Sequence, residues 1–228
     1  MLAKAGPLES RNLGAQVAQR LREMILWHHL PDGARLLEES LAAEFEVSRG
    51  PIRDALGQLE REGLLRVSKR GAYVMALTSA DIGHLFDLRK ALELLAITGI
   101  TGRASEEDLT QMAAAVEQMR QAARRDDHDA FARADAAFHS LVVDRSSNRR
   151  LSDVWHQYEP ILVTILQANV AQDEKLAASA DDHQLLLDMI RSGDQRVVAE
   201  ASDHVDRARD RMIISYERFL STRARHPA

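Results

Sequence analysis

The chain of 228 residues contains no cysteine. Neither a disulfide framework nor a thiolate metal site is therefore open to it, which fits a reducing cytoplasm. Glycine and proline are few, at 11 and 5, while Ala, Leu, Arg, Glu and Asp abound, a composition that favours helices. No run approaches the roughly 18 apolar residues that span a membrane. Met1–Ser10 has no apolar core of signal-peptide length, so a soluble cytoplasmic protein with no membrane partner is expected. A basic excess is missing too, because the net charge is −5. That total hides an asymmetry: residues 1–78 carry 11 Lys+Arg against 10 Asp+Glu, and residues 79–228 carry 19 against 25. Only the first segment can serve a phosphate backbone, and it must concentrate its charge locally.

What is present in that segment centres on Val47–Gly63. Ser48 is a good N-cap, and Pro51 falls in the first turn, where a missing N–H costs nothing. Ile52, Ala55, Leu56 and Leu59 form one apolar stripe, and Gly63 suits a left-handed helix end. Arg49 and Arg53 flank the stripe one turn apart. Upstream, Leu13–Trp27 has helical spacing in Leu13, Val17, Leu21, Met24 and Ile25. Leu30-Pro31-Asp32-Gly33 is a turn. A short helix over about Leu37–Phe45 turns Leu41, Ala42 and Phe45 inward. Only Glu46 and Val47 separate it from Ser48, so the pair reads as a helix-turn-helix with Ser48–Glu62 as the second, recognition helix. Leu64–Val67 and Ala72–Ala76 read as strands joined by the basic tip Ser68-Lys69-Arg70-Gly71. Such a tip can reach phosphate or the minor groove.

The order of these parts, and L-A-A-E-F-E-V-S-R-G-P-I-R-D-A-L-x-x-L-E-x-E-G-L-L, resemble the N-terminal domain of GntR-family transcription regulators over about Leu13–Leu77. The resemblance implies a winged helix-turn-helix reading operator DNA through Ser48, Arg49, Pro51 and Arg53, with Lys69, Arg70 and Gly71 as the wing. Glu39 departs from it, standing where many relatives carry an arginine, so that contact with DNA is expected to be lost.

After Thr78 no strand signal remains, and the boundary is expected there: 1–78 for DNA, 79–228 for an all-α antiparallel bundle. Six helices are expected over Ser79–Thr101, Ser105–Arg125, Asp129–Arg145, Asn148–Ala168, Asp173–Ser192 and Asp194–Leu220. Asp135 and His139 are one turn apart on one face, and His183 and His204 fall on the last two helices. Converging, the four would make a site of oxygen and imidazole donors for zinc, nickel, manganese or iron. On spacing alone, nine scattered histidines remain the plainer account, since only Asp135 and His139 are locally constrained.

D-A-A-F-H-S-L-V, S-S-N-R-R-L, D-D-H-Q-L-L-L-D-M-I-R-S-G-D and A-S-D-H-V resemble, in order and spacing, the FadR-type C-terminal (FCD) ligand-binding domain over about Asp81–Leu220. Six helices match its shorter variant. The resemblance implies a divalent transition metal, zinc first, on Asp135, His139, His183 and His204. Arg89 matches an arginine that pairs with an effector carboxylate, while a salt bridge to Glu93 is an equal alternative. His84, His128, His156 and the His28-His29 pair read as surface or packing residues, Trp155 and Tyr158 as core, and Arg207, Arg209 and Arg211 as a solvated face.

The function expected is a homodimeric transcription regulator, a repressor, controlled by a small carboxylate metabolite at a metal-containing pocket. The alternatives are a regulator that responds to the metal itself or a metal-dependent enzyme using the Asp/His site. The enzyme reading lacks an H-E-x-x-H base and a clear nucleophile, and it has no use for a winged domain.

Overall fold

A computed structural model describes residues 13–170 and 176–225. It divides the chain into two compact units, Met1–Leu77 and Thr78–Ala228. Thr78 goes with the second unit because its side chain caps the first helix there.

In the first unit, helix α1 (Leu13–Leu26) is followed by β1 (Arg35–Leu36), α2 (Glu38–Glu44), α3 (Arg49–Arg61), β2 (Leu65–Ser68) and β3 (Gly71–Val74). Ile52, Ala55, Leu56 and Leu59 of α3 are buried, as their spacing requires, and so are Val17, Leu21 and Ile25 of α1. Leu13 is exposed, and Ala42 of α2 and its C-cap residue Phe45 are only half-buried beside a buried Leu41. Ser48 has the extended N-cap backbone but makes no side-chain cap hydrogen bond. Its hydroxyl therefore does not supply the capping expected of it. The three strands run antiparallel in the order β1-β3-β2. The two-residue β1 was not expected; it pairs Arg35 with Tyr73 and Leu36 with Ala72, and two residues are too few for a period-2 pattern.

A buried ion pair closes this unit. Arg22 on α1 donates from Nε and Nη2 to the two carboxylate oxygens of Glu62, both at 2.7 Å. Glu62 is the C-cap of α3, so the pair ties α1 to the end of α3. Gln58 adds a hydrogen bond to Glu62 at 3.0 Å.

The second unit is the expected set of six helices: α4 (Ser79–Ile100), α5 (Glu106–Arg125), α6 (His128–Arg145), α7 (Arg149–Val170), α8 (Leu176–Ser192) and α9 (Val197–Arg225). Thr78 with Asp81, and Ser105 with Asp108, form reciprocal capping boxes. Asp127 caps α6 through the Ala130 N–H, one residue earlier than expected. The expected start at Asp173 lies outside the described residues. Helix α6 lies against α4, α5 and α7, while α9 packs on α4, α7 and α8. Met112, Met119, Phe131, Phe138 and Leu187 fill the core. The turns after α4 and α8 touch through glycines: a Cβ on Gly102 would meet the Gly193 Cα at 3.2 Å. No described helix is long and apolar enough to cross a membrane.

Candidate metal centre and DNA-reading face

Helix α6 places Asp135 and His139 on one buried face, α8 supplies His183, and α9 supplies His204. One ring nitrogen from each histidine lies within 4.8 Å of the others. The imidazole of His183 is 5.1 Å from that of His139 and 4.6 Å from that of His204, centroid to centroid. Asp135 completes the group, with Oδ1 3.0 Å from His183 Nε2 and Oδ2 3.8 Å from His139 Nε2. The structure thus brings together the four residues named from the sequence.

The outer nitrogens decide what the inner ones can do. His183 Nδ1 lies 2.7 Å from the Ser179 carbonyl oxygen, which only accepts, so Nδ1 carries a proton. His139 Nδ1 lies 2.9 Å from Glu93 Oε2 and donates likewise. In neutral rings both Nε2 atoms are then bare, yet they sit 3.1 Å apart, with the Asp135 carboxylate beside them. Lone pairs and a carboxylate so placed repel unless a cation stands among them. The outer hydrogen bonds to a carboxylate and a carbonyl are the kind that orient metal-ligating histidines. Asp135 Oδ2 is buried with no hydrogen-bond partner among the described residues. On donor chemistry the residues fit a metal.

The surrounding charges are strongly coupled. Burial opposes ionisation of Asp135, but His183, His139 and Arg89 outweigh it and hold the carboxyl far below its usual range. Glu93, despite burial, is held down to about 2 by Arg89 and His139. Burial lowers His204 well below its ordinary value and lowers His139 too. His183 goes the other way, since the Asp135 carboxylate overcomes burial and raises it.

Glu93 was not singled out as part of the site. A signal for it existed: Ile82, Phe86, Arg89, Glu93, Ala96, Ile97 and Ile100 form the buried stripe of α4, and two charges stand where apolar side chains belong. For Arg89 the salt bridge to Glu93 is present. Its Nε donates to Glu93 Oε1 at 2.6 Å, and its Nη2 is 4.0 Å from Asp135 Oδ2. Its Nη1 is buried without a hydrogen-bond partner among the described residues. Trp155 is core, as expected, at 2% exposure. His156 is not merely a surface residue, because it bridges Glu159 at 2.7 Å and Asp144 at 2.9 Å.

On the first unit Ser48, Arg49 and Arg53 are exposed and Pro51 is half-buried. The turn Lys69-Arg70 is the wing tip proper, and Gly71 opens β3. Gly71 has φ +127°, and a Cβ there would meet Arg35 Nε and the Leu36 carbonyl at 3.2 Å. Arg35, Glu38, Lys69 and Arg70 line one open groove, which puts Arg35, not singled out from the sequence, beside the cations of the wing tip. Both recognition-helix arginines are met by α2: Glu38 Oε2 is 2.7 Å from Arg53 Nε, and Glu39 Oε1 is 3.2 Å from Arg49 Nη2.

Residues 84–207 match the FCD domain, and residues 13–74 match the gntR family of bacterial regulatory proteins. The chain is 29% identical over 200 residues to the gluconate operon transcriptional repressor of Bacillus licheniformis, covering 85% of this chain and 82% of that one. It is 30% identical over 197 residues to a D-xylose utilization operon transcriptional repressor of Paenarthrobacter nicotinovorans, covering 82% and 84%. Among solved structures, a GntR-family regulator from Pseudomonas syringae pv. tomato superposes with TM-score 0.54 at 27% identity, over 93% of this chain and 90% of that one. The fold is shared with E. coli McbR/YncC at TM-score 0.66 and 21% identity, over 91% and 98%. These relatives are regulators, and the enzyme alternative falls away. The chain belongs to the GntR family of bacterial transcription regulators, a DNA-binding winged helix-turn-helix followed by an FCD domain.

Proposed function

We propose that this protein is a homodimeric repressor whose operator affinity is set by a small carboxylate bound beside a divalent transition metal. Asp135, His139, His183 and His204 would hold the ion, zinc first, with nickel, manganese or iron as the other fits to oxygen and imidazole donors. The observation that carries the reading is the pair of Nε2 atoms facing each other at 3.1 Å beside a carboxylate, with both Nδ1 atoms engaged by outer acceptors. When bound, the ion offers a free coordination position to an effector oxygen. Arg89 Nη1, a buried donor without a partner among the described residues, would take a second oxygen of the same carboxylate. Dimerisation follows from operator reading, since a helix-turn-helix addresses two half-sites through a two-fold axis. Helix α4 bears Arg89 and begins directly after the DNA-binding unit, so ligand-dependent ordering of α4 has a covalent route to it. A coupling of about 1–3 kcal/mol corresponds to roughly 5- to 150-fold in operator affinity.

Purified protein should carry about one transition-metal ion per chain, and His183→Ala and His204→Ala should each lose it. Elemental analysis checks this. Metal-free protein that takes up no added zinc, nickel or manganese would mean that a proton, not a metal, stands among the histidines. Ligand screening by thermal shift starts with sugar acids, given the gluconate operon repressors among the relatives, because a native-state ligand raises the melting temperature. A DNA affinity that follows added metal but no carboxylate would favour the metal-responsive alternative.

On the DNA side, Glu39 withdraws Arg49 and presents a negative charge beside it. Glu39→Arg should tighten DNA binding and steepen the log–log salt dependence by about one unit, as one added phosphate contact does. Unchanged affinity and slope would place residue 39 away from the DNA.

A further inference from the structure

Two adjacent acids on α2 meet the two arginines of α3 in different ways. Glu39 Oε1 lies 3.2 Å from Arg49 Nη2, at the end of that guanidinium, and the Glu39 side chain is 84% exposed. Glu38 opens α2 and is half-buried. Its Oε2 accepts from Arg53 Nε at 2.7 Å, on the side of the guanidinium. Among the described residues neither Nη1 nor Nη2 of Arg53 has a hydrogen-bond partner. Arg53 therefore keeps free the end of its fork, whose two N–H groups fit the O6 and N7 acceptors of guanine. Glu38 also shares a groove with Arg35, Lys69 and Arg70. An acid on that cationic face repels phosphate and weakens binding to DNA of any sequence.

We propose that Glu38 is a positioning residue for base readout, holding Arg53 through Nε so that its Nη1–Nη2 edge meets a guanine in the major groove. The inference rests on the reading of Arg53 as a base-contacting residue. A long side chain already held in one rotamer gives up little freedom when DNA arrives. The same carboxylate disfavours every sequence electrostatically, and disfavours least the one that places a guanine before Arg53. Specificity is this difference between two affinities.

The test uses full-length protein and two duplexes: one that the wild type selects from a randomised pool, and a scrambled copy of it. Anisotropy titrations give the ratio of the two affinities. Glu38→Ala should lower that ratio at least about fivefold, while its affinity for the scrambled duplex rises. Glu38→Gln keeps an acceptor oxygen at the same reach without the charge, and should recover most of the lost discrimination. Selections repeated with Glu38→Ala and with Arg53→Ala should relax the same base-pair positions. The double variant should discriminate no worse than Arg53→Ala alone, because the two residues act as one unit. An unchanged ratio in Glu38→Ala beside a collapsed one in Arg53→Ala would overturn the role of Glu38 and leave Arg53 as the reader. Equal losses on both duplexes, or no recovery in Glu38→Gln, would overturn it likewise. An unchanged ratio in Arg53→Ala would overturn both readings. Glu38→Leu, similar in size and without an acceptor, takes the place of Glu38→Ala should that variant fail to fold.

Discussion

Glu62→Ala is expected to cost the DNA-binding unit about 3–5 kcal/mol, because it strands the Arg22 guanidinium in the interior. Arg22 and Glu62 are 1% and 5% exposed, and their two 2.7 Å hydrogen bonds leave little room for water to substitute. A domain of this size is stable by roughly 3–10 kcal/mol, so the variant should lose between about a third and all of that stability. At about 4–8 °C per kcal/mol for a small domain, its transition should fall by more than about 12 °C. Replacing both partners by apolar residues of similar volume, Arg22→Met with Glu62→Leu, should recover most of the loss, since neither charge is then left unpaired. Thermal unfolding checks both variants. A drop of under about 4 °C for Glu62→Ala would show that the pair contributes little. Operator binding by the second variant should return with stability, because neither residue reaches the surface.

The double variant Arg49→Ala, Arg53→Ala should lose operator binding while keeping its fold. A good bidentate base contact is worth about 1–3 kcal/mol, so two lost contacts amount to roughly 30- to 25,000-fold in affinity if they add. Arg53→Ala alone should cost at least tenfold. The ion pairs these arginines make with Glu38 and Glu39 lie at the surface, with the arginine side chains 56% and 64% exposed. Such pairs contribute at most about 1 kcal/mol, and the melting temperature should move by only a few degrees. Lys69→Ala and Arg70→Ala, at the wing, should instead flatten the salt dependence. Gel-shift or anisotropy titrations across salt separate the two patterns. An unchanged operator affinity for the double variant would remove α3 as the reading helix.

How much of this was legible beforehand divides along the range of the interactions. The helices of the bundle could be bounded from the sequence because their signals are local. Thr78 with Asp81 and Ser105 with Asp108 act over three residues, and the buried stripe of α3 repeats within four. Resemblance to known regulators added the family and the four residues of the candidate metal centre. Spacing alone would have recovered only Asp135 and His139.

What the tertiary structure decided acts across long separations in the chain. Arg22 meets Glu62 40 residues away, and Glu93 on α4 orients His139 on α6. Arg53 is met by Glu38 from the preceding helix, 15 residues back. Strand β1 exists only because β3 returns beside it. The sequence by itself determined which stretches are helical and the main buried face of most of them, since those follow from backbone geometry and hydrophobic period within a few residues, but the last helix, expected over Asp194–Leu220, runs over Val197–Arg225. Which buried charge meets which was left to packing. A charge inside a protein is tolerable only beside its partner, and that partner is chosen by whatever helix the fold lays against it.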